Sequence, residues 1–99
     1  MSALFSVSTS GMQAAQTTLD ASAHNIANLG TSGFRREQVA QQSTATGGVE
    51  TTVMPASVPG HAPETDLVAL LQARSAFQLN LVVFKTDERM LGSLLNSTG

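Results

Sequence analysis

Any chemistry done by this chain would have to come from two histidines, seven carboxylates, many hydroxyls and an arginine pair, because it has no cysteine. His24 and His61 lie far apart in sequence and lack an obvious carboxylate or cysteine partner at metal-ligand spacing. They read as a polar helix-face residue and a loop residue rather than as metal ligands. None of the serines stands in a G-x-S-x-G pattern, the strained turn that presents a nucleophile. The TATGG run at 44–48 lacks the glycine-lysine-serine or glycine-lysine-threonine that makes a phosphate loop. Arg35 and Arg36, beside a turn, read as solvated charges, with contact to an anionic surface as the alternative. We therefore expect no catalytic residues, no cofactor site and no metal site, and no enzyme activity.

Composition narrows the choice further. Ninety-nine residues, 41% of them hydrophobic, allow one small domain at most and leave little room for a deep cleft or a small-molecule substrate. The net charge is -2 and no basic run exceeds the arginine pair, so the electrostatic footprint of a nucleic-acid binder is missing. The start, MSALFSVSTSGM, has neither a positive n-region nor a long apolar h-region, so no cleavable secretory signal is expected. No stretch approaches the ~18 apolar residues of a membrane span, so no membrane insertion is expected.

Two segments must position whatever the chain uses. Over residues 3–29, Phe5, Met12, Leu19 and Ile26 recur every seven positions, which is a helical stripe. Three further on, Ser8, Ala15, Ser22 and Leu29 are mostly small, so a partner helix could approach closely along that side. Gly11 lies in this run although glycine costs a helix about 1 kcal/mol relative to alanine, which points to a close backbone contact or a soft point. Over residues 64–96, Leu70, Phe77, Phe84 and Leu91 repeat the spacing of seven, with Leu67, Leu81 and Leu95 on a companion row beside Arg74 and Glu88. Pro63 suits a first helical turn, Glu64 and Asp66 follow it, and Lys85 and Arg89 lie toward the far end, the order the helix dipole favours. A further apolar row, Ala69, Ala76, Val83 and Met90, is more than one intramolecular partner can cover, and this predicts self-association.

Between the helices, Gly47-Gly48 supplies a turn joining the region of Gln38–Gln42 to an alternating Val49, Thr51, Val53 strand. A lone two-stranded ribbon is marginal in water and would need support from a helix or a neighbour. Residues 55–63 read as a flexible linker. In AHNIANLGTSGFRR, residues 23–36, Asn28 and Gly30 fall where the stripe ends and tolerate the left-handed backbone that closes a helix. Ser32-Gly33 then makes a second turn, Phe34 is placed to dock back on a helix, and a buried Asn25 would satisfy backbone groups left unpaired by the corner. The predicted fold is mainly α: two long terminal helices pairing antiparallel as a coiled-coil-like hairpin, with a short β-hairpin and linker between them.

Residues 8–36, STSGMQAAQTTLDASAHNIANLGTSGFRR, resemble the N-terminal signature of the bacterial flagellar rod and hook axial proteins. Ser10, Gly11 and Met12, the run Asn25-Ile26-Ala27-Asn28, and Thr31, Gly33 and Phe34 carry the likeness. Residues 66–96 are similar to that family's closing helix at Ala73, Phe77, Asn80, Lys85, Thr86, Asp87 and Met90-Leu91. The chain departs from the pattern at Arg74, Ser75 and Leu79, where the family more usually has glutamine, arginine and alanine. Its middle has room for little beyond a hairpin and linker, so it resembles a short member without an outer globular domain.

The resemblance implies a single rod-type domain over residues 1–99, divided into 3–29, 30–54, 55–63 and 64–96. It implies a structural subunit of the flagellar basal body rod, in a periplasmic axial structure serving motility. The subunit would be exported by the flagellar export apparatus without a cleaved signal peptide, and would associate with itself and with other axial proteins. The stripe residues Phe5, Met12, Leu19, Ile26, Leu70, Phe77, Phe84 and Leu91 would carry helix packing and assembly. Two alternatives share the periodicity: a helical-hairpin filament or needle subunit of a related secretion system, and an accessory paralogue of the rod proteins.

Overall fold

A computed structural model describes residues 3–98. Helix α1 (Ala3–Ala27) leads into strand β1 (Glu37–Ser43), strand β2 (Val49–Pro55) and helix α2 (Pro63–Thr98). The molecule is 62 × 24 × 14 Å, a rod whose length is set by α2, since 36 residues at 1.5 Å each span about 54 Å. The expected mainly-α architecture, two helices packed on each other with a two-stranded antiparallel sheet between them in sequence, is the one observed.

Helix α1 forms despite its serines and threonines because their hydroxyls turn back on the helix itself. Ser8 and Thr9 donate to the Phe5 carbonyl, Thr17 to Gln13 and Thr18 to Ala14, so these side chains do not compete for other backbone groups. Helix α2 starts at Pro63, whose missing N–H is not needed in the first turn, and the Asp66 N–H bonds the Ala62 carbonyl at 3.0 Å. It continues to Thr98, so Lys85 and Arg89 lie well inside it and no basic residue occupies its last turn.

The helices run antiparallel, with Phe5 against Phe84, Gly11 under Asn80 and Asn25 against Asp66. The buried seam consists of small and polar residues: Ser8, Ala14, Ala15, Ala21 and Ser22 from α1, Asp66 and Ala73 from α2. The row of small residues thus admits the partner helix, while Met12, Leu19, Ile26, Leu70 and Phe77 flank the seam half-buried. On α2 the seam follows Asp66, Ala73 and Asn80, a row that apolar spacing does not reveal. The companion row expected from Leu67, Leu81 and Leu95 is mostly turned outward, with Leu67 and Leu95 exposed.

By length and composition α2 is also apolar enough to cross a membrane, with a mean hydropathy of 1.5 in its qualifying window, only 6% of which is buried. This corrects the expectation that no stretch approaches a membrane span: Gln72, Arg74, Gln78 and Asn80 break the apolar run, yet the residues between them keep the average over the window high. The hairpin pairs in register from Glu37 opposite Pro55 to Ser43 opposite Val49, and closes through a Thr44–Gly48 turn in which Gly47 has φ +92°. Support comes from α1. The Ser10 hydroxyl accepts from Val49 N–H at 2.6 Å and donates to its carbonyl at 2.9 Å, and Gln41 donates to the Thr18 hydroxyl.

Gly11 sets the closeness of the helix pair. A Cβ there would lie 2.5 Å from Asn80 Oδ1 and 2.8 Å from its Cγ, and Asn80 is held by its own bond to the Ala76 carbonyl. Gly11→Ala should therefore lower stability in urea titrations, despite the ~1 kcal/mol that alanine contributes to an isolated helix. In the Gly11→Ala/Asn80→Ala pair the loss should shrink well below the sum of the two single effects. Simple additivity would mean that the two residues do not meet.

Candidate functional site

The corner behind α1 gathers two of the most buried polar side chains among the described residues, Asn25 and Asp66. The helix closes with a tightened turn, Asn28 N–H pointing to both the His24 and Asn25 carbonyls and Leu29 N–H to Ile26. Asn28 keeps an ordinary backbone, contrary to the left-handed cap expected of it. Among the described residues only glycines have positive φ, and Gly30 is not one of them. Asn28 closes the helix through its side chain, donating to the His24 carbonyl at 2.8 Å and accepting from the Thr31 hydroxyl at 3.1 Å. The left-handed position is Gly33, at φ +73°.

Phe34 leaves that turn and docks back as expected, its ring 5.5 Å from His24 on α1. On its other side His61 stacks nearly parallel at 5.9 Å. The segment between β2 and α2 is tied to the corner rather than free. Ala56 N–H bonds the Arg36 carbonyl at 2.7 Å, and Gly60 N–H bonds the Phe34 carbonyl at 3.0 Å. The two histidines thus flank a phenylalanine, and no group of three metal-ligating side chains occurs among the described residues. His24 approaches Glu37 at 3.6 Å in an exposed setting.

Beneath this layer lies a clasp joining three elements. Asn25, 2% exposed on α1, accepts from Glu37 N–H at 2.7 Å and donates to the Glu37 carbonyl and to Asp66 Oδ1. Asp66, also 2% exposed, receives Arg36 Nε on Oδ2 at 3.1 Å and Arg36 Nη2 on Oδ1. This is a two-point guanidinium–carboxylate contact, with Asn25 supplying the third donor. Arg36 is therefore not the solvated charge that the sequence implied, whereas Arg35 is exposed. The Arg36 hydrogen bonds, with help from Asn25 and the positive charge, outweigh burial and hold the Asp66 carboxyl below its ordinary value of 3.8.

The remaining sequence-predicted residues divide between contact and exposure. Phe5 and Phe84 meet with ring centroids 4.2 Å apart, and Ser10 pins the hairpin tip. Met12, Leu19, Ile26, Leu70 and Phe77 border the seam, while Leu91 is 53% exposed toward the end of α2. Leu67, Val68, Leu71, Leu79 and Val82 are more than half exposed. The surface grooves among the described residues are shallow. One, of about 390 Å³, runs between the helices and the hairpin past Gly11, Ala15, Thr18 and Gln72. These features describe surfaces for packing and a scaffold that holds them straight.

Two outcomes follow for the corner. Replacing Arg36 by methionine should cost about 1.5–3 kcal/mol at neutral pH, the range for a hydrogen bond to a charged group, since it strands a buried carboxylate. The Asp66 pKa is lower in the folded chain than in the unfolded one, so its contribution is complete above about pH 4. It is lost as the pH falls further, toward the folded value. Urea titrations at a series of pH values should therefore show an acid-side loss that Asp66→Asn removes. Separately, Gly33→Val should destabilise by about 1–2 kcal/mol or more because of the left-handed backbone. Gly30→Ala, with open space and no positive φ, should be neutral or slightly stabilising. Equal effects at the two glycines would refute that distinction.

Residues 5–35 match the family model described as flagella basal body rod protein. No curated protein matches the chain. The matched stretch contains Ser10, Gly11, Asn25, Asn28, Gly33 and Phe34, so it covers the hairpin pin, the close helix approach and the α1 side of the clasp. Arg36, Asp66 and Asn80, which complete those contacts, lie outside it. From Phe5 to Arg35, through α1 and the corner it enters, the chain is similar to the flagella basal body rod protein family.

Proposed function

We propose that this chain is a structural subunit of the flagellar basal body rod that assembles through its terminal helices into an axial structure serving motility. The match over residues 5–35 carries this reading, because it covers the residues whose contacts build the corner and hold the hairpin. The exposed apolar side of α2 supports it, since a chain this small gains from covering that surface with neighbouring copies or other axial proteins. In this reading the subunit reaches a periplasmic location through the flagellar export apparatus without a cleaved signal. The clasp and corner keep α1, the hairpin and α2 in one arrangement while neighbours pack against them. The chain's work is mechanical, and no step of bond making or breaking is assigned to it.

Labelling the chain in cells and purifying intact basal bodies tests this directly. The label should co-purify with the rod, and deleting the coding sequence should reduce swimming, with recovery on re-expression. Basal bodies that lack the label, together with normal swimming in the deletion strain, would remove the basis for the reading.

A further inference from the structure

The hairpin leaves main-chain groups without a partner, and its register says which. Thr44 N–H bonds the Gly48 carbonyl at one end, and Ala56 N–H bonds the Arg36 carbonyl at the other. Bonded pairs alternate with unbonded ones in an antiparallel ladder, so between these ends Gln42–Glu50, Ala40–Thr52 and Gln38–Met54 bond each other. The main-chain groups of Glu37, Val39, Gln41 and Ser43 therefore point outward from β1, and those of Val49, Thr51, Val53 and Pro55 outward from β2. Helix α1 holds one position on each edge, Asn25 binding Glu37 and Ser10 binding Val49. The other outward groups have no such bond among the described residues. Gln41, Ser43, Val53 and Pro55 are exposed, and Val39 and Thr51 half-buried. Little blunts these edges: neither strand has a lysine or a bulge, and the one proline ends β2.

We infer that the two edges receive each other: β1 of a second copy, pointing the same way, adds to β2 of the first as a third strand. Within a chain the two strands run in opposite directions. Copies sharing one orientation therefore bring β1 against β2 antiparallel, and the ladder continues across the joint. One register sets Ser43 opposite Thr51 of the other copy, Gln41 opposite Val53 and Val39 opposite Pro55. It uses every outward position left free on both edges and neither of those that α1 holds. Pro55 has no N–H, so it accepts from Val39 and the added ladder ends there. Glu37 and Glu50 then face Ser57 and Thr44, so no like charges meet. A two-stranded ribbon is marginal alone and gains from the added strand. Joining β1 to β1 would close a two-fold pair, whereas joining β1 to β2 leaves a free edge at each end, so the contact repeats as an open row. The register offsets successive copies by two residues, about 7 Å along the strands. The inference rests on the self-association in the proposed function, with subunits of an axial structure sharing one orientation.

Amide hydrogen exchange on the full chain, read residue by residue by NMR across a concentration series, tests it. The inward amides of Gln38, Ala40, Gln42, Glu50, Thr52 and Met54 should be protected throughout. Those of Gln41, Ser43, Thr51 and Val53 should exchange freely in dilute protein and gain protection together as the chain associates. Val53→Pro removes an outward N–H and spares the hairpin's own ladder, so it should weaken association at least about fivefold, the worth of one hydrogen bond, while the inward amides stay protected. The sequence has no cysteine, so single thiols report on the register. Gln42 and Thr52 face each other across the joint as an unbonded pair, with Cα atoms about 4.5 Å apart, a spacing that a disulfide spans. Mixed Gln42→Cys and Thr52→Cys chains should therefore form a linked heterodimer on mild oxidation, and neither chain should link to itself. Efficient linkage of Gln42→Cys to itself would overturn the inference in favour of a two-fold joint. Association that leaves the outward amides unprotected, or no association at any concentration, would also overturn it. Basal-body localisation is read separately, so the rod reading stands or falls by its own experiment.

Discussion

Asp66 sits almost completely out of water at the start of α2, and a carboxylate in that position must be met by donors. Arg36 and Asn25 meet it from two other parts of the chain, and Asn25 also takes both backbone groups of Glu37. One buried charge therefore fixes where α1 ends, where the hairpin is rooted and where α2 begins. The layer above depends on that arrangement. Phe34 can bridge His24 and His61, and the 56–61 segment can bond back to Phe34 and Arg36, only because the hairpin root is held against α1.

From this fixed end the helices run together along a seam of alanine, serine and one glycine. Small side chains let the backbones approach, and the approach is close enough that Asn80 occupies the space a Cβ on Gly11 would need. The cost of such a seam is a thin core. Large apolar residues border it half-buried, and several on the far side of α2, Leu71, Leu79 and Val82 among them, are more than half exposed. An unusually exposed apolar helix is the direct result of packing two helices through their smallest residues. The same geometry that keeps the molecule slender leaves one side of α2 apolar and exposed, the feature that the proposed role in an assembled rod draws on.

How far this was legible in the sequence can be judged residue by residue. The spacing of seven from Phe5 to Ile26 and from Leu70 to Leu91 announced both helices, because a helix exposes its period wherever one side differs in polarity from the other. The small row Ser8, Ala15, Ser22 announced the close approach, and Gly11 announced a backbone contact. Gly33 and the Gly47-Gly48 turn were visible because few residues other than glycine take a left-handed backbone without strain. Asn28 and Gly30 were misread for the same reason in reverse. Both residue types permit that conformation, but permission is not use, and Asn28 closes the helix with its side chain instead.

Local spacing in the sequence thus determined the two helices, the hairpin and the corner, together with the signature that resembles the rod family. Only the tertiary structure decided which side of α2 is buried. Its seam row of Asp66, Ala73 and Asn80 is small or polar, and apolar periodicity cannot single out a row that is not apolar. The pairing of Arg36 with Asp66 was equally hidden. Thirty residues separate them, and a charged residue carries no local mark of whether it will meet water or a distant partner. That choice is made when the hairpin folds back onto α1 and brings the two together.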